Sequence, residues 1–141
     1  MTPSTIPITV RQQEVDRLGH VNHTVYFQWA DHARTEFLRR AGIDLDTLLA
    51  TNRVAPVVVE ARVLYLRELR LGDKAEVSCE PLYGPMTMTV SLRVTRDDGS
   101  VAAEITQVIG LRDQDTMQLI PDPLQRLRSL AARPNLLEPR D

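Results

Sequence analysis

From Val57 to Leu111 apolar and polar residues alternate with period two, interrupted only by short turn signals. Ahead of that run lies one helix-period stretch, Asn22 to Ala41. In it Val25, Tyr26, Trp29, Ala30, Ala33 and Phe37 make a single broad apolar face. A helix with such a face must bury it, and each alternating strand has one apolar face to offer. The pairing restricts the chain to an α+β fold in which an antiparallel sheet curves round one long central helix.

The remaining signals fill in that frame. Ile6, Ile8 and Val10 alternate with Pro7, Thr9 and Arg11, a first strand with Pro7 at an edge or start, running towards Val15. Asn22 is suited to capping the helix, and Arg39-Arg40-Ala41-Gly42 to ending it, giving a length of roughly 30 Å at 1.5 Å per residue. Asp44 caps a short second helix containing Leu45, Leu48 and Leu49. Val57, Val59, Ala61, Val63 and Tyr65 are expected on one strand face, Val58, Arg62 and Arg67 on the other. Turns follow at Leu71-Gly72-Asp73, Tyr83-Gly84-Pro85 and Asp97-Asp98-Gly99-Ser100, so four strands read as a meander. Prolines bracket a small helix, Leu124 to Ala131, and Pro134 to Asp141 read as a frayed tail. The 141 residues therefore read as a single domain, 1–141, with a core of about 6–121 and a short helix and tail over 122–141. Apolar Val58, Leu64 and Leu66 on outer strand positions call for burial by another subunit.

The stretch Val15 to Phe27 carries the chemistry. Asp16 follows the first strand, a glycine turn at Gly19 follows Asp16, and the long helix begins next. The first N–H groups of a helix lack internal partners and carry partial positive charge. A carboxylate beside such a terminus suits attack on a carbonyl: the carboxylate acts as base or nucleophile, and the N–H groups hold the oxyanion. On spacing alone the commoner reading of Asp16 is a residue that stabilises the turn and the helix N-terminus, since Asp favours that place. Gly19 suits a positive-φ turn or a close backbone approach.

The segment Asp16-x-x-Gly19-His20-Val21-Asn22-His23-x-x-Tyr26 with the later Ala33-Arg34 resembles the 4-hydroxybenzoyl-CoA thioesterase-like branch of the hot-dog-fold acyl-CoA thioesterases. Tyr65-x-x-x-Leu69-x-x-Gly72-Asp73 and the Asp98-Gly99 hairpin are similar to that family too. His23 stands where the family usually has a second asparagine. The resemblance implies a five-stranded antiparallel sheet around one helix, homodimers joined sheet edge to sheet edge and often doubled into homotetramers, and active sites at the dimer interface. It also implies that Asp16 is the catalytic carboxylate and that the oxyanion donor is the backbone N–H of His23 or a neighbour.

The surrounding residues divide between framework and substrate contact. Gly19, His20, Val21, Asn22, His23 and Tyr26 form the oxyanion and substrate-binding set. Within it Asn22 suits a cap, His20 a packing or hydrogen-bonding place in the turn, and Tyr26 either the core or the acyl pocket. Arg34 suits a structural ion pair. Arg62, Arg67, Arg93 and Arg96 are candidates for CoA phosphates, because guanidinium matches phosphate geometry. His20, His23 and His32 do not make a metal set, and the CoA thioester is substrate, so no cofactor is expected.

The function expected is hydrolysis of an acyl-CoA to a free acid and CoA. The alternatives are a hydratase or dehydratase of the same fold, which would pair a histidine with Asp16, and a non-catalytic acyl-CoA-binding module. A net charge of −2 supplies no field for nucleic acid, and no apolar run reaches membrane-spanning length. Cys79 is the one cysteine and Met1 to Thr5 shows no leader pattern, which together point to the cytoplasm.

Overall fold

The computed structural model describes residues 4–138; the expectations for Met1, Thr2 and Pro3 and for residues 139–141 lie outside them. In chain order the elements are β1 (Ser4–Thr9), a 3-10 turn (Gln12–Glu14), α1 (Val25–Arg40), α2 (Leu45–Ala50), β2 (Val54–Tyr65), β3 (Lys74–Tyr83), β4 (Met88–Arg96), β5 (Val101–Asp113), α3 (Pro123–Leu130) and a second 3-10 turn (Pro134–Leu136). The strands form one antiparallel sheet in the order β1-β3-β4-β5-β2. No helix among the described residues is long and apolar enough to cross a membrane.

The expected alternation places one face of the sheet against α1. Ile6 of β1, Val77 and Cys79 of β3, Val90, Leu92 and Val94 of β4 and Ile105 and Ile109 of β5 are buried there. They meet Val25, Tyr26, Trp29, Ala30, Ala33 and Phe37 of the helix, the residues that the 3.6-residue period picks out, with Leu38 added. Pro7 does lie on an edge strand, where a missing N–H costs no ladder bond.

Five expectations need correction. First, β3, β4 and β5 form a meander, but β2 does not join it through β3; it pairs with β5 at the far edge. The Leu71-Gly72-Asp73 turn therefore ends a crossover from the β2 edge to β3, which lies between β1 and β4. Second, β2 contains a bulge between Val58 and Glu60, which makes Val59 an extra residue. A bulge reverses the parity of a strand. Ala61, Val63 and Tyr65 thus share a face with Val58, opposite Val57. Third, β1 stops at Thr9 and a 3-10 turn, not strand, leads to Val15. Fourth, α1 begins at Val25, not Asn22: Asn22 Oδ1 accepts from the Thr24 N–H and hydroxyl, closing a turn one step before the helix. Fifth, the tail is docked as far as Leu137, which is fully buried and whose carbonyl accepts from the Tyr83 hydroxyl at 2.6 Å.

The helix ends as its sequence requires. Gly42 has φ +85°, its N–H bonds the Arg39 carbonyl, and the Ile43 N–H bonds the Leu38 carbonyl. That is the double bond of a Schellman end. In the middle of α1, Arg34 pairs with Asp31 at 3.0 Å and reaches Gln107, a buried polar residue on the inner face of β5, at 2.6 Å.

Candidate active site

Val15 and Val21 pair as an isolated bridge, and the five residues between them form a closed loop. The Asp16 N–H donates to the His20 carbonyl at 2.9 Å and the Gly19 N–H to the Asp16 carbonyl at 3.1 Å. Gly19 takes φ +87°, the left-handed conformation that its place in the motif suggested. A Cβ there would come within 3.3 Å of the end of the Arg70 side chain. Asp16 Oδ1 accepts from the Leu18 N–H at 2.9 Å, so one carboxylate oxygen does the turn-stabilising work that its position allowed. The other oxygen makes no hydrogen bond among the described residues.

The loop is pressed against the β2–β3 crossover. His20 bridges Arg70, and the Val21 N–H donates to the Leu69 carbonyl at 2.9 Å. This contact brings the residues after β2 beside the entry to α1. Between them opens a cleft of about 330 Å³ lined by Asp16, His20, Val21, His23 and Tyr26 on one side and by Tyr65, Leu66, Arg67 and Glu68 on the other. His20 Nε2 stands 3.7 Å from Glu68 Oε1 across it.

The helix entry is held peptide by peptide. The Asn22 carbonyl accepts from Val25 N–H at 3.0 Å, and the Thr24 N–H goes to Asn22 Oδ1 at 3.0 Å. The His23 carbonyl accepts from the Tyr65 hydroxyl at 2.8 Å. The His23 N–H has no partner among the described residues. Tyr26 is buried between Trp29 and Tyr65, edge-on to both, with centroids 5.1 and 5.2 Å away. Burial first, and Tyr65 second, push the Tyr26 hydroxyl up to about 12, so it stays protonated.

Below the cleft lies a carboxylate that the sequence reading passed over. Glu14 is only 4% exposed, yet charged groups are seldom buried alone. Its Oε1 accepts from the Arg11 N–H at 2.8 Å, and its Oε2 accepts from the Trp29 indole at 3.1 Å and the Arg11 guanidinium at 3.3 Å. Burial alone would push its carboxyl up, but these donors outweigh burial and hold it below its ordinary value of 4.5. The Glu14 carbonyl accepts from Asn22 N–H at 2.8 Å, which ties this cluster to the helix entry.

The four arginines part company. Arg67 lines the cleft and, with Glu68, Arg70, Asp73 and Arg96, an adjoining groove of about 370 Å³. Arg93 lines, with Glu104, Glu80 and Ser91, a separate depression on the outer face of the sheet. Arg62 is also on that face, opposite Thr106. Tyr65, Leu66, Glu68 and Arg70 were not among the site residues expected. The signal for them was the Tyr65-x-x-x-Leu69 spacing, which fixes where strand gives way to crossover.

A family model described as the thioesterase-like superfamily matches residues 10–132. The chain is 38% identical over 69 residues to the acyl-acyl carrier protein thioesterase ATL3 of Arabidopsis thaliana, covering 49% of this chain and 36% of that one. It is 36% identical over 74 residues to the acyl-CoA thioester hydrolase YbgC of Escherichia coli, covering 52% of this chain and 54% of the relative. The chain thus spans between about a third and about half of the length of these curated relatives. A crystal structure of a DHNA-CoA thioesterase from Staphylococcus aureus superposes with a TM-score of 0.79 at 20% identity, over 89% of this chain and 83% of the other. The chain belongs to the thioesterase-like superfamily, and its sheet and central helix are the hot-dog fold.

Proposed function

We propose that this chain hydrolyses an acyl-CoA thioester to a carboxylic acid and CoA. One observation carries the reading: Asp16, with one carboxylate oxygen free, lines the same cleft as His23, whose N–H is unpartnered at the start of α1. Asp16 takes a proton from water, and the resulting hydroxide adds to the thioester carbonyl carbon. The oxyanion that develops is met by the His23 N–H and the positive end of the helix. Collapse of the intermediate breaks the C–S bond, and the thiolate leaves with the proton that Asp16 holds. The groove containing Arg67, Arg70 and Arg96 adjoins the cleft and suits the phosphates of CoA. No step calls for a cofactor. Curated relatives named as thioester hydrolases support the same chemistry.

The bare β2 edge completes the reading. Val58, Val59, Leu64, Tyr65 and Leu66 are each about half exposed along it. A second copy paired along β2 would cover them and roof the cleft, as in a homodimer built edge to edge. We read residues 1–141 as one such catalytic domain, working in a reducing compartment such as the cytoplasm, since Cys79 is buried and unpaired.

The test is a thiol-release screen with acetyl-, decanoyl- and benzoyl-CoA. Asp16→Asn is the control, because an amide oxygen still accepts from the Leu18 N–H and the loop keeps its shape. Thiol release that falls by about 100-fold or more in the variant is expected. No release from any substrate, or an Asp16→Asn enzyme at full rate, overturns the proposal. Loss of enoyl absorbance from crotonyl-CoA without thiol release would move the assignment to a hydratase. A single turnover in ¹⁸O water separates base from nucleophile: label found in Asp16 means that the carboxylate itself attacked.

A further inference from the structure

We infer that Tyr65 is a positioning residue for the oxyanion site, an inference that rests on the thioesterase reading and extends it. His23 stands two residues before α1, and the N–H that would reach its carbonyl in a helical continuation is that of Phe27. Here the Phe27 N–H goes to the Thr24 carbonyl instead, which leaves the His23 carbonyl for the Tyr65 hydroxyl at 2.8 Å. The two peptide planes flanking His23 are therefore both fixed. The plane before it is held by the Asn22 carbonyl and the Val25 N–H; the plane after it is held by Tyr65 on one side and by Asn22 Oδ1 on the other. With both planes fixed the direction of the His23 N–H is fixed as well, and that N–H has no partner among the described residues.

Tyr65 is itself well placed to act as a fixed post. It is the last residue of β2, it pairs in register with buried Ala103 on β5, and its ring stands edge-on to Tyr26 at 5.2 Å. The hydroxyl thus ties the helix entry to the sheet. A donor aimed at the oxyanion before the substrate arrives needs no reorganisation in the transition state, which is where such donors gain their effect. Tyr65 need not touch the thioester to contribute in this way.

Tyr65→Phe removes the hydroxyl and keeps the ring. With benzoyl-CoA and hexanoyl-CoA, kcat is expected to fall about tenfold while KM stays within twofold, because a misdirected donor weakens transition-state binding more than substrate binding. A side chain that only packs would leave kcat unchanged and lower thermal stability. Amide hydrogen exchange, read by NMR, gives a measurement independent of turnover. The Thr24 and Val25 amides should exchange at least several-fold faster in the variant, with the centre of α1 unchanged. Wild-type kcat retained in Tyr65→Phe, or exchange at Thr24 and Val25 that does not change, overturns the inference. If the wild-type protein releases no thiol from any acyl-CoA, the thioesterase reading fails and the exchange comparison alone decides whether Tyr65 holds the turn.

Discussion

Trp29→Phe is expected to lower stability by much more than the small change in apolar area suggests. The indole N–H donates to Glu14 Oε2 at 3.1 Å, and Glu14 is a buried carboxylate whose other donors among the described residues come from Arg11. Losing a hydrogen bond to a charged group costs about 1.5–3 kcal/mol. The smaller ring leaves unfilled core volume, at about 1–2 kcal/mol. Together these give about 3–5 kcal/mol, which at about 3 °C per kcal/mol for a chain of this size lowers Tm by about 10–15 °C.

The pH dependence separates the two contributions. The folded carboxyl of Glu14 lies below its ordinary 4.5, so its stabilisation is complete above that value and is lost as pH falls through the folded value. The variant lacks one of the donors responsible, so its folded value lies closer to 4.5 and it has less to lose in acid. Thermal unfolding followed by circular dichroism should therefore show a Tm gap between the proteins that narrows from pH 7 to pH 3. A Tm change of less than about 3 °C at pH 7, or a gap that stays constant over that range, would refute the role given to the Trp29–Glu14 bond.

Three shorter tests probe other parts of the frame. Gly42→Ala should destabilise strongly in chemical denaturation: φ +85° costs a side chain about 1–2 kcal/mol, and the added Cβ would lie 2.5 Å from the Cβ of Ala132. Arg34→Leu should cost about 1–3 kcal/mol by stranding the buried Gln107 amide, and Gln107→Leu in the same chain should recover part of the loss. Burial pushes the Cys79 thiol up to about 12, so a disulfide reagent at pH 8 should leave it unmodified in the native protein and react once the chain is unfolded.

The helix was legible because seven buried positions on α1 repeat at 3.6 residues, and no local signal competes with them. The two errors in β2 have physical causes. Val57, Val58 and Val59 fit either parity, so an extra residue there leaves no trace in the hydrophobic pattern. The sheet order is set by where the crossover goes, and residues 66 to 70 have no regular period to reveal it. Asn22 was read as the cap because an Asx turn uses the same side-chain oxygen as a cap does. At the candidate site, the loop holding Asp16 and Gly19 was legible because a glycine of positive φ and an aspartate that accepts from the chain two residues on each favour fixed places in a short turn. Tyr65, Glu68 and Arg70 were not, because they reach the cleft only through the bridges between residues 20–21 and residues 69–70, which are distant in sequence.

Two features of the single chain look incomplete, and they share residues. Asp16 and His23 are exposed in a cleft of about 330 Å³, whereas a backbone donor stabilises an oxyanion strongly only where water is excluded. The β2 strand has an unpaired edge with half-exposed Val58, Val59 and Leu64. Tyr65 and Leu66 belong both to that edge and to the cleft wall. Association along β2 would therefore close the cleft and cover the edge in one event, which links activity to assembly. Val59→Lys puts a charge at the bulge, on the edge but outside the cleft lining. Light scattering should report a shift towards monomer, and specific activity should fall in proportion to the monomer fraction. Wild-type protein diluted through its dissociation constant should trace the same line. A monomeric variant with full specific activity would show that one chain forms a complete site and that the β2 edge has no part in catalysis.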